Sequence, residues 1–174
     1  LEFLWTTQES GNPIDAVRAT EIEAEAKFLR AWFHFKANRI FWRIPYIKTK
    51  SELGDILPEE VSNDTQGWDE IEADLQYAID NLTETHPQGD PGRPTKYAAM
   101  AVKAHAHLYQ SELDLAKPLL DAIINSGKYQ LVENYYDNYN QATENNVESI
   151  FEIQAATSGS SYTSNFFAGT AMPH

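Results

Sequence analysis

The sequence predicts an all-α chain: helices in hairpin pairs, joined by extended loops, with little or no β structure. Two observations carry that expectation. Four segments between Thr20 and Ser126 place apolar residues at steps of three and four, and the breaks between them carry proline and glycine clusters such as His86-Pro87-Gln88-Gly89-Asp90-Pro91-Gly92. Beyond Gly127 the texture changes to Tyr, Asn, Ser and Gly, which predicts a loop-rich segment over 128–174 behind helical repeats over about 20–127, all in a single domain of residues 1–174.

Each helix has its own warrant. From Thr20 to Trp42, the stripe Ile22, Ala26, Leu29, Phe33, Ala37 and Ile40 runs beside a second stripe, Phe28, Ala31, Trp32 and Phe35. With Lys27, Arg30, Lys36 and Arg39 between them, the stripes predict a helix covered on two sides, and Thr20 with Glu23 has the form of a capping box. Pro45 then forces Ile44-Pro45-Tyr46-Ile47 out of helix, opening a long connection from Arg43 to Asp64. A second helix is predicted from about Gln66 to Leu82, with Trp68, Ile71, Leu75, Ala78, Ile79 and Leu82 inward and Asp69, Glu70, Asp74 and Asp80 outward. The third begins at Thr95, after Pro94, and runs to about Gln110; Ala98, Ala99, Ala101, Ala104 and Ala106 let a neighbouring helix approach closely. The fourth, from about Asp114 to Ser126, points Ala116, Leu119, Leu120, Ile123 and Ile124 inward. Pro118 limits its upstream hydrogen bonding, and Gly127 supplies a left-handed stop. Further on, Ile150-Phe151-Glu152-Ile153-Gln154 reads either as a short strand or as an extended segment laid on the helices, and irregular loop is expected from Ala155.

Composition narrows the function. The chain has 174 residues with 13 Lys and Arg against 26 Asp and Glu, a net charge of -13, and such acidity opposes general binding to nucleic acid or to anionic lipid headgroups. With no cysteine there is no disulfide, thiolate nucleophile, zinc ribbon or iron–sulfur cluster. No apolar run approaches the roughly 18 residues of a spanning helix, and the start, Leu1-Glu2-Phe3-Leu4-Trp5, has neither a basic region nor an initiator Met, as expected of a piece of something longer.

Signatures of catalysis are missing: no His-Glu-x-x-His, no Gly-x-Ser-x-Gly, and no phosphate-cradling glycine loop. His105 and His107, two apart, point to different sides of a helix and cannot share one metal; one is expected to pack with a hydrogen bond while the other faces solvent or a neighbouring helix. Glu70 with Asp74, and Glu21 with Glu25, share helix faces at a spacing of four, but a glycosidase needs its two carboxyl groups across a cleft, so these pairs read as solvated helix edges. The oxygen ligands scattered over Asp137–Glu148 lack the glycine a calcium loop needs at its sixth position, which here is Ala142. No cofactor or metal is expected.

Aromatic residues divide into two groups. Trp32, Phe33, Phe35, Trp68 and Tyr97 lie at helical spacing and read as core. Trp42, the trio Tyr135, Tyr136 and Tyr139, and Tyr162, Phe166 and Phe167 lie in turns or loops among Asn, Gln, Ser and Thr, where flat rings beside amides and hydroxyls suit a sugar. The competing reading, that these rings pin loops onto the scaffold, is favoured for the Tyr trio and stands level for Tyr162, Phe166 and Phe167.

Two resemblances follow. The helix pairs, with Ala78-Ile79-Asp80-Asn81 and Ala122-Ile123-Ile124-Asn125 in equivalent places, resemble tetratricopeptide units in an α–α superhelix. Four blocks in order resemble the SusD/RagB family of Bacteroidetes: Glu25-Ala26-Lys27-Phe28-Leu29-Arg30-Ala31-Trp32-Phe33-His34-Phe35 through Ile44-Pro45-Tyr46; Ile71-Glu72-Ala73-Asp74-Leu75; Gly92-Arg93-Pro94-Thr95-Lys96-Tyr97-Ala98-Ala99; and Ser126-Gly127-Lys128-Tyr129-Gln130-Leu131 followed by Glu148-Ser149-Ile150-Phe151-Glu152-Ile153. The resemblance implies a non-enzymatic glycan-binding lipoprotein, lipid-anchored on the extracellular face of the outer membrane, which passes its ligand to a SusC-like TonB-dependent transporter. It implies that this chain is the central helical part, without the N-terminal lipid anchor. Arg30 is expected to pair with a carboxylate or to cap a carbonyl. Trp42-Arg43-Ile44 replaces the family's usual Gly-Gly before Pro45, so the turn there is expected to differ. Candidate ligand-binding residues are Trp42, Tyr162, Phe166 and Phe167. The alternative is a tetratricopeptide-like scaffold that binds protein or peptide partners without a sugar site. Acidity suits neutral glycans over anionic ones unless a basic spot at Lys48 and Lys50 intervenes.

Overall fold

A computed structural model describes residues 1–10, 13–47, 67–86 and 89–154. The described residues form α1 (Glu2–Glu9), α2 (Ala16–Phe41), α3 (Trp68–Asn81), α4 (Lys96–Tyr109) and α5 (Leu113–Asn125), then two short 3-10 turns at Tyr135–Tyr139 and Gln141–Thr143; no strand forms among them. From α2 onward each helix packs on the next, so α2 with α3 and α4 with α5 make two consecutive hairpins of the stacked kind the sequence predicts.

Helix ends follow local chemistry. Asp15, not Thr20, caps α2: its Oδ1 accepts from the N–H groups of Val17 at 3.0 Å and Arg18 at 3.2 Å. Thr20 instead bonds back to the Ala16 carbonyl from inside the helix, so the predicted capping box does not form. Thr95 caps α4 through Ala98 N–H as expected, and Gly127, at φ 66°, follows α5 in the left-handed conformation. The α4–α5 turn is a Schellman motif with an unusual occupant. Ser111 sits at φ 64°, its N–H bonds to Leu108 O at 3.1 Å, and Glu112 N–H reaches back to His107 O at 2.9 Å.

The core joins Ala24, Phe28, Ala31 and Phe35 of α2 with Ile71, Leu75, Ala78 and Ile79 of α3 and Ala98, Ala99 and Ala106 of α4. Phe28, Ile71 and Leu75 are fully buried, and truncating Phe28 to Ala would cost roughly 3–5 kcal/mol. The expectation that α2 is covered on two sides is corrected. The stripe with Phe28, Ala31 and Phe35 is buried, whereas Phe33 is 57% and Ile40 73% exposed among the described residues. Small side chains decide the difference: Ala24 and Ala31 let α3 and α4 approach the first stripe, and Phe33 lies outside that contact with its ring on Trp32 at 4.9 Å. Likewise only Ile123 of the adjacent pair Ile123 and Ile124 turns inward, because one residue step rotates a side chain by about 100°.

Arg30 and Asp74 form the principal polar join. The Arg30 guanidinium donates from Nε to Asp74 Oδ2 at 2.6 Å and from Nη2 to Oδ1 at 2.8 Å, a two-pronged pair across the α2–α3 interface. Asp74 is therefore buried, a correction to its predicted solvent-facing position. Tyr46 OH also donates to Asp74 Oδ2, at 2.5 Å, and the His34 ring stacks on Tyr46 at 4.1 Å. Burial, reinforced by the Asp74 carboxylate, raises the Tyr46 phenol far above the ordinary tyrosine range. Gly67 at φ 64° completes this corner, since a Cβ there would lie 3.3 Å from the Tyr46 ring. A second pair, Arg93 with Glu25, ties the start of α4 to α2.

Asp74→Asn keeps the shape but leaves Arg30 without its buried counter-charge, so urea unfolding should show a loss of about 3 kcal/mol. Ser111→Gly removes a left-handed strain and should raise stability by about 0.5–1 kcal/mol in the same measurement.

Candidate functional site

The sequence-predicted core aromatics sort cleanly: Phe35 and Tyr97 are buried, Trp32 and Trp68 pack at the edge of the core, and only Phe33 is turned out. The loop aromatics behave otherwise. Tyr135, Tyr136 and Tyr139 are 65%, 76% and 73% exposed, so they do not pin the loop to the helices, and the favoured reading of the trio is overturned.

Polar side chains hold this loop in place of apolar ones. Asn134 Oδ1 accepts from Tyr136 N–H and opens the first 3-10 turn; Asn140 Oδ1 accepts from Ala142 N–H and opens the second. Thr143 Oγ1 donates to the Asp137 and Asn140 carbonyls, and Asn146 Nδ2 donates to Asn138 Oδ1 at 3.0 Å. The oxygen atoms that resemble a calcium loop in sequence thus bind the loop to itself. The strand-free segment at 150–154 seats it on the helices. Phe151 packs edge-on against Phe28 at 5.1 Å and against Trp32 at 6.4 Å, and Gln154 lies against Gly92, where a Cβ would come within 3.1 Å of its Cγ. Of the two readings of this segment, the extended one is correct.

The result is a ring cluster beside a polar hollow. Tyr135 stands edge-on to Tyr136 at 6.1 Å and to Tyr139 at 5.4 Å, and the Tyr135 and Tyr139 hydroxyls share a hydrogen bond of 2.8 Å. That hydrogen bond, before any other influence, raises the Tyr139 phenol above the ordinary range. An open recess of about 370 Å³ is lined by Asn138, Tyr139, Asn140, Gln141, Glu144 and Glu152. This volume sits at the small end of the roughly 300–1,000 Å³ common for small-ligand sites. Amides, a phenol and carboxylates supply the mixed donors and acceptors that a neutral polyol needs, and exposed rings offer flat apolar faces. Asn138, Asn140, Gln141, Glu144 and Glu152 were not singled out in the sequence; the density of Tyr, Asn and Gln over 134–146 was the available signal.

Trp42 is 65% exposed at the end of α2. It centres a γ-turn at φ 65°, ψ -49°, in which Arg43 N–H donates to Phe41 O at 2.8 Å, and the Arg43 guanidinium carbon lies 4.9 Å from its ring centroid. Such a turn costs a non-glycine residue roughly 1–3 kcal/mol, and it is the structural counterpart of the missing Gly-Gly. Tyr162, Phe166 and Phe167 lie outside the described residues, as do Lys48 and Lys50. Three of the four carboxylates in the predicted pairs are drawn into ion pairs: Asp74 with Arg30, Glu25 with Arg93, and Glu21 with Arg18 at 2.9 Å. Of the two histidines in α4, His107 is buried and hydrogen-bonded, while His105 is exposed.

Helical hairpins carrying a polar, aromatic loop place the chain in the all-α, tetratricopeptide-like class. Residues 1–108 match the SusD-like family described as starch-binding and associating with the outer membrane, and the chain belongs to that family. A SusD-like protein of Bacteroides ovatus is 29% identical over 170 residues, covering 91% of this chain and 30% of that protein. A SusD superfamily structure from Bacteroides vulgatus superposes with a TM-score of 0.78 at 26% identity, over 88% of this chain and 32% of that one. A laminarin-binding SusD-like structure superposes with a TM-score of 0.74 at 25% identity, over 86% and 33%. The chain thus spans about 30% of the length of the curated relative it matches. Among the described residues no helix is long and apolar enough to cross a membrane.

Acid should release the loop at one anchor. Val132 N–H, and after it Asn138, hold the Glu148 carboxyl below the ordinary carboxylate range. A depressed acid contributes its anchorage above its unfolded pKa, about 4.3, and loses it as pH falls through the lower folded value. Amide exchange over 130–148 should therefore be flat from pH 8 to 5, after correction for intrinsic rates, and rise below about pH 4. Glu148→Gln should abolish that acid step.

Proposed function

We propose that this chain supplies the helical frame and a sugar-contacting surface of a non-catalytic glycan-binding protein on the extracellular face of a bacterial outer membrane. The protein is held there by a lipid anchor and delivers its ligand to a SusC-like TonB-dependent transporter. One observation carries the reading: three exposed tyrosines stand beside a recess lined by amides and carboxylates. Membership of the family described as starch-binding and outer-membrane-associated supports it, as does the likeness to a laminarin-binding structure. Ring stacking with directed hydrogen bonds in a shallow, preformed hollow gives modest affinity and needs neither metal nor covalent chemistry. Trp42 would offer a second ring platform, and Tyr162, Phe166 and Phe167 a third.

The alternative of a tetratricopeptide-like scaffold for a protein or peptide calls for a continuous polar strip along the first helix of each hairpin. The outward stripe of α2 is instead apolar at Leu29, Phe33 and Ile40, and exposed rings cluster in a loop, which favours the glycan.

Affinity electrophoresis of the full-length soluble protein in gels containing laminarin, xyloglucan or starch tests this directly. At least one polysaccharide should retard the parent. The variant with Tyr135, Tyr136 and Tyr139 all changed to Ala should lose at least tenfold in affinity, with its melting temperature kept. Parallel Trp42→Ala and Tyr162, Phe166, Phe167 triple-alanine variants assign the other platforms. A parent retarded by no polysaccharide, while co-purifying with a transporter, would favour the scaffold reading.

A further inference from the structure

We propose that Glu72, His107 and Glu112 form a binding site for a divalent transition-metal ion of the zinc type, clamping α3 to the turn between α4 and α5. Glu72 comes from α3, His107 from the last turn of α4, and Glu112 from the residue that opens α5. His107 Nδ1 lies 2.8 Å from Glu112 Oε2 and 3.7 Å from Glu72 Oε1, and the three ligand atoms fall within 4.8 Å of one another. Around a tetrahedral ion with bonds of about 2.0–2.1 Å, ligand atoms stand roughly 3.4 Å apart. Small side-chain adjustments therefore suffice, and a water would complete the set.

The backbone enforces the arrangement. The Schellman turn at Ser111 folds the chain so that Glu112 N–H bonds to His107 O at 2.9 Å, which returns the Glu112 carboxylate to the imidazole five residues earlier. His107 is only 4% exposed, so packing restrains its ring as well as the Glu112 carboxylate does. Hydrogen bonding within the cluster does not satisfy both carboxylates. Imidazole Nδ1 offers at most one hydrogen to two carboxylates, and Gln110 Nε2, which donates to Glu72 Oε1 at 2.5 Å, is uncharged. Lys103, whose ammonium lies 2.8 Å from Gln76 Oε1, acts on Glu72 through its charge and makes no direct bond to the cluster's ligand atoms among the described residues. A dication would neutralise both acids at once, and the imidazole selects a zinc-type ion over calcium, which prefers oxygen ligands throughout. The site escaped the sequence because His107 and Glu72 belong to different helices.

Calorimetric titration of the chelator-treated full-length protein with Zn²⁺, beside thermal melts, tests the assignment. One molar equivalent should bind with a melting temperature raised by several degrees, and Ca²⁺ should leave the melt unchanged. Glu112→Gln and Glu72→Gln change partly exposed carboxylates, so both variants should fold with near-parental metal-free melts. Each should bind Zn²⁺ at least tenfold more weakly and lose the thermal rise. His107→Gln, which risks the fold, is not needed. Failure of the parent to bind Zn²⁺, or unchanged affinity in either variant, overturns the site, and an equal rise with Ca²⁺ overturns the choice of ion.

Discussion

The two-pronged bond between Arg30 and Asp74 sets the relation of α2 to α3, and the rest of the molecule is built outward from that relation. A guanidinium fork accepts one orientation of a carboxylate, so the pair fixes the helices in rotation as well as distance, which apolar contacts between Phe28, Ile71 and Leu75 do not do alone. Burial works against the charge on Arg30. The hydrogen bonds and negative charge of Asp74 more than offset it, and the guanidinium is held above its ordinary value. Tyr46 closes the same carboxylate from the α2–α3 connection, so one acid organises two helices and the start of the segment between them.

Frame and contact surface are made of different materials. The frame is alanine-rich and tightly packed, as stacked hairpins require. The segment from Asn134 to Asn146 buries no tyrosine and is shaped by side-chain amides, hydroxyls and turn carbonyls. A loop held by polar groups can leave its rings free for a ligand, whereas a loop held by its rings could not. Phe151 links the two parts, since it lies on Phe28 and Trp32 while its neighbour Glu152 lines the recess.

Helix positions were legible in the sequence because the apolar period and the stop signals agree: Gln66–Leu82 was expected and Trp68–Asn81 is observed. Less legible was anything that depends on partners far along the chain. Asp74 reads as a surface acid until Arg30, 44 residues earlier, is placed beside it. Phe33 and Phe35 read alike, and only the approach of neighbouring helices separates them. Thr20 satisfies the capping pattern, yet Asp15 reaches two free N–H groups first. For the site, the residue types of the tyrosine–amide loop were visible but their exposure was not, because periodicity carries no information in a loop.

The Arg30–Asp74 join supports the surface at 134–152 through the segment bearing Phe151. Hydrogen exchange of the full-length protein, parent against Asp74→Asn, measures this most directly. In Asp74→Asn, α2, α3 and residues 148–154 should lose protection together and by the same factor. Loss of protection confined to α2 and α3, with 148–154 unchanged, would contradict it.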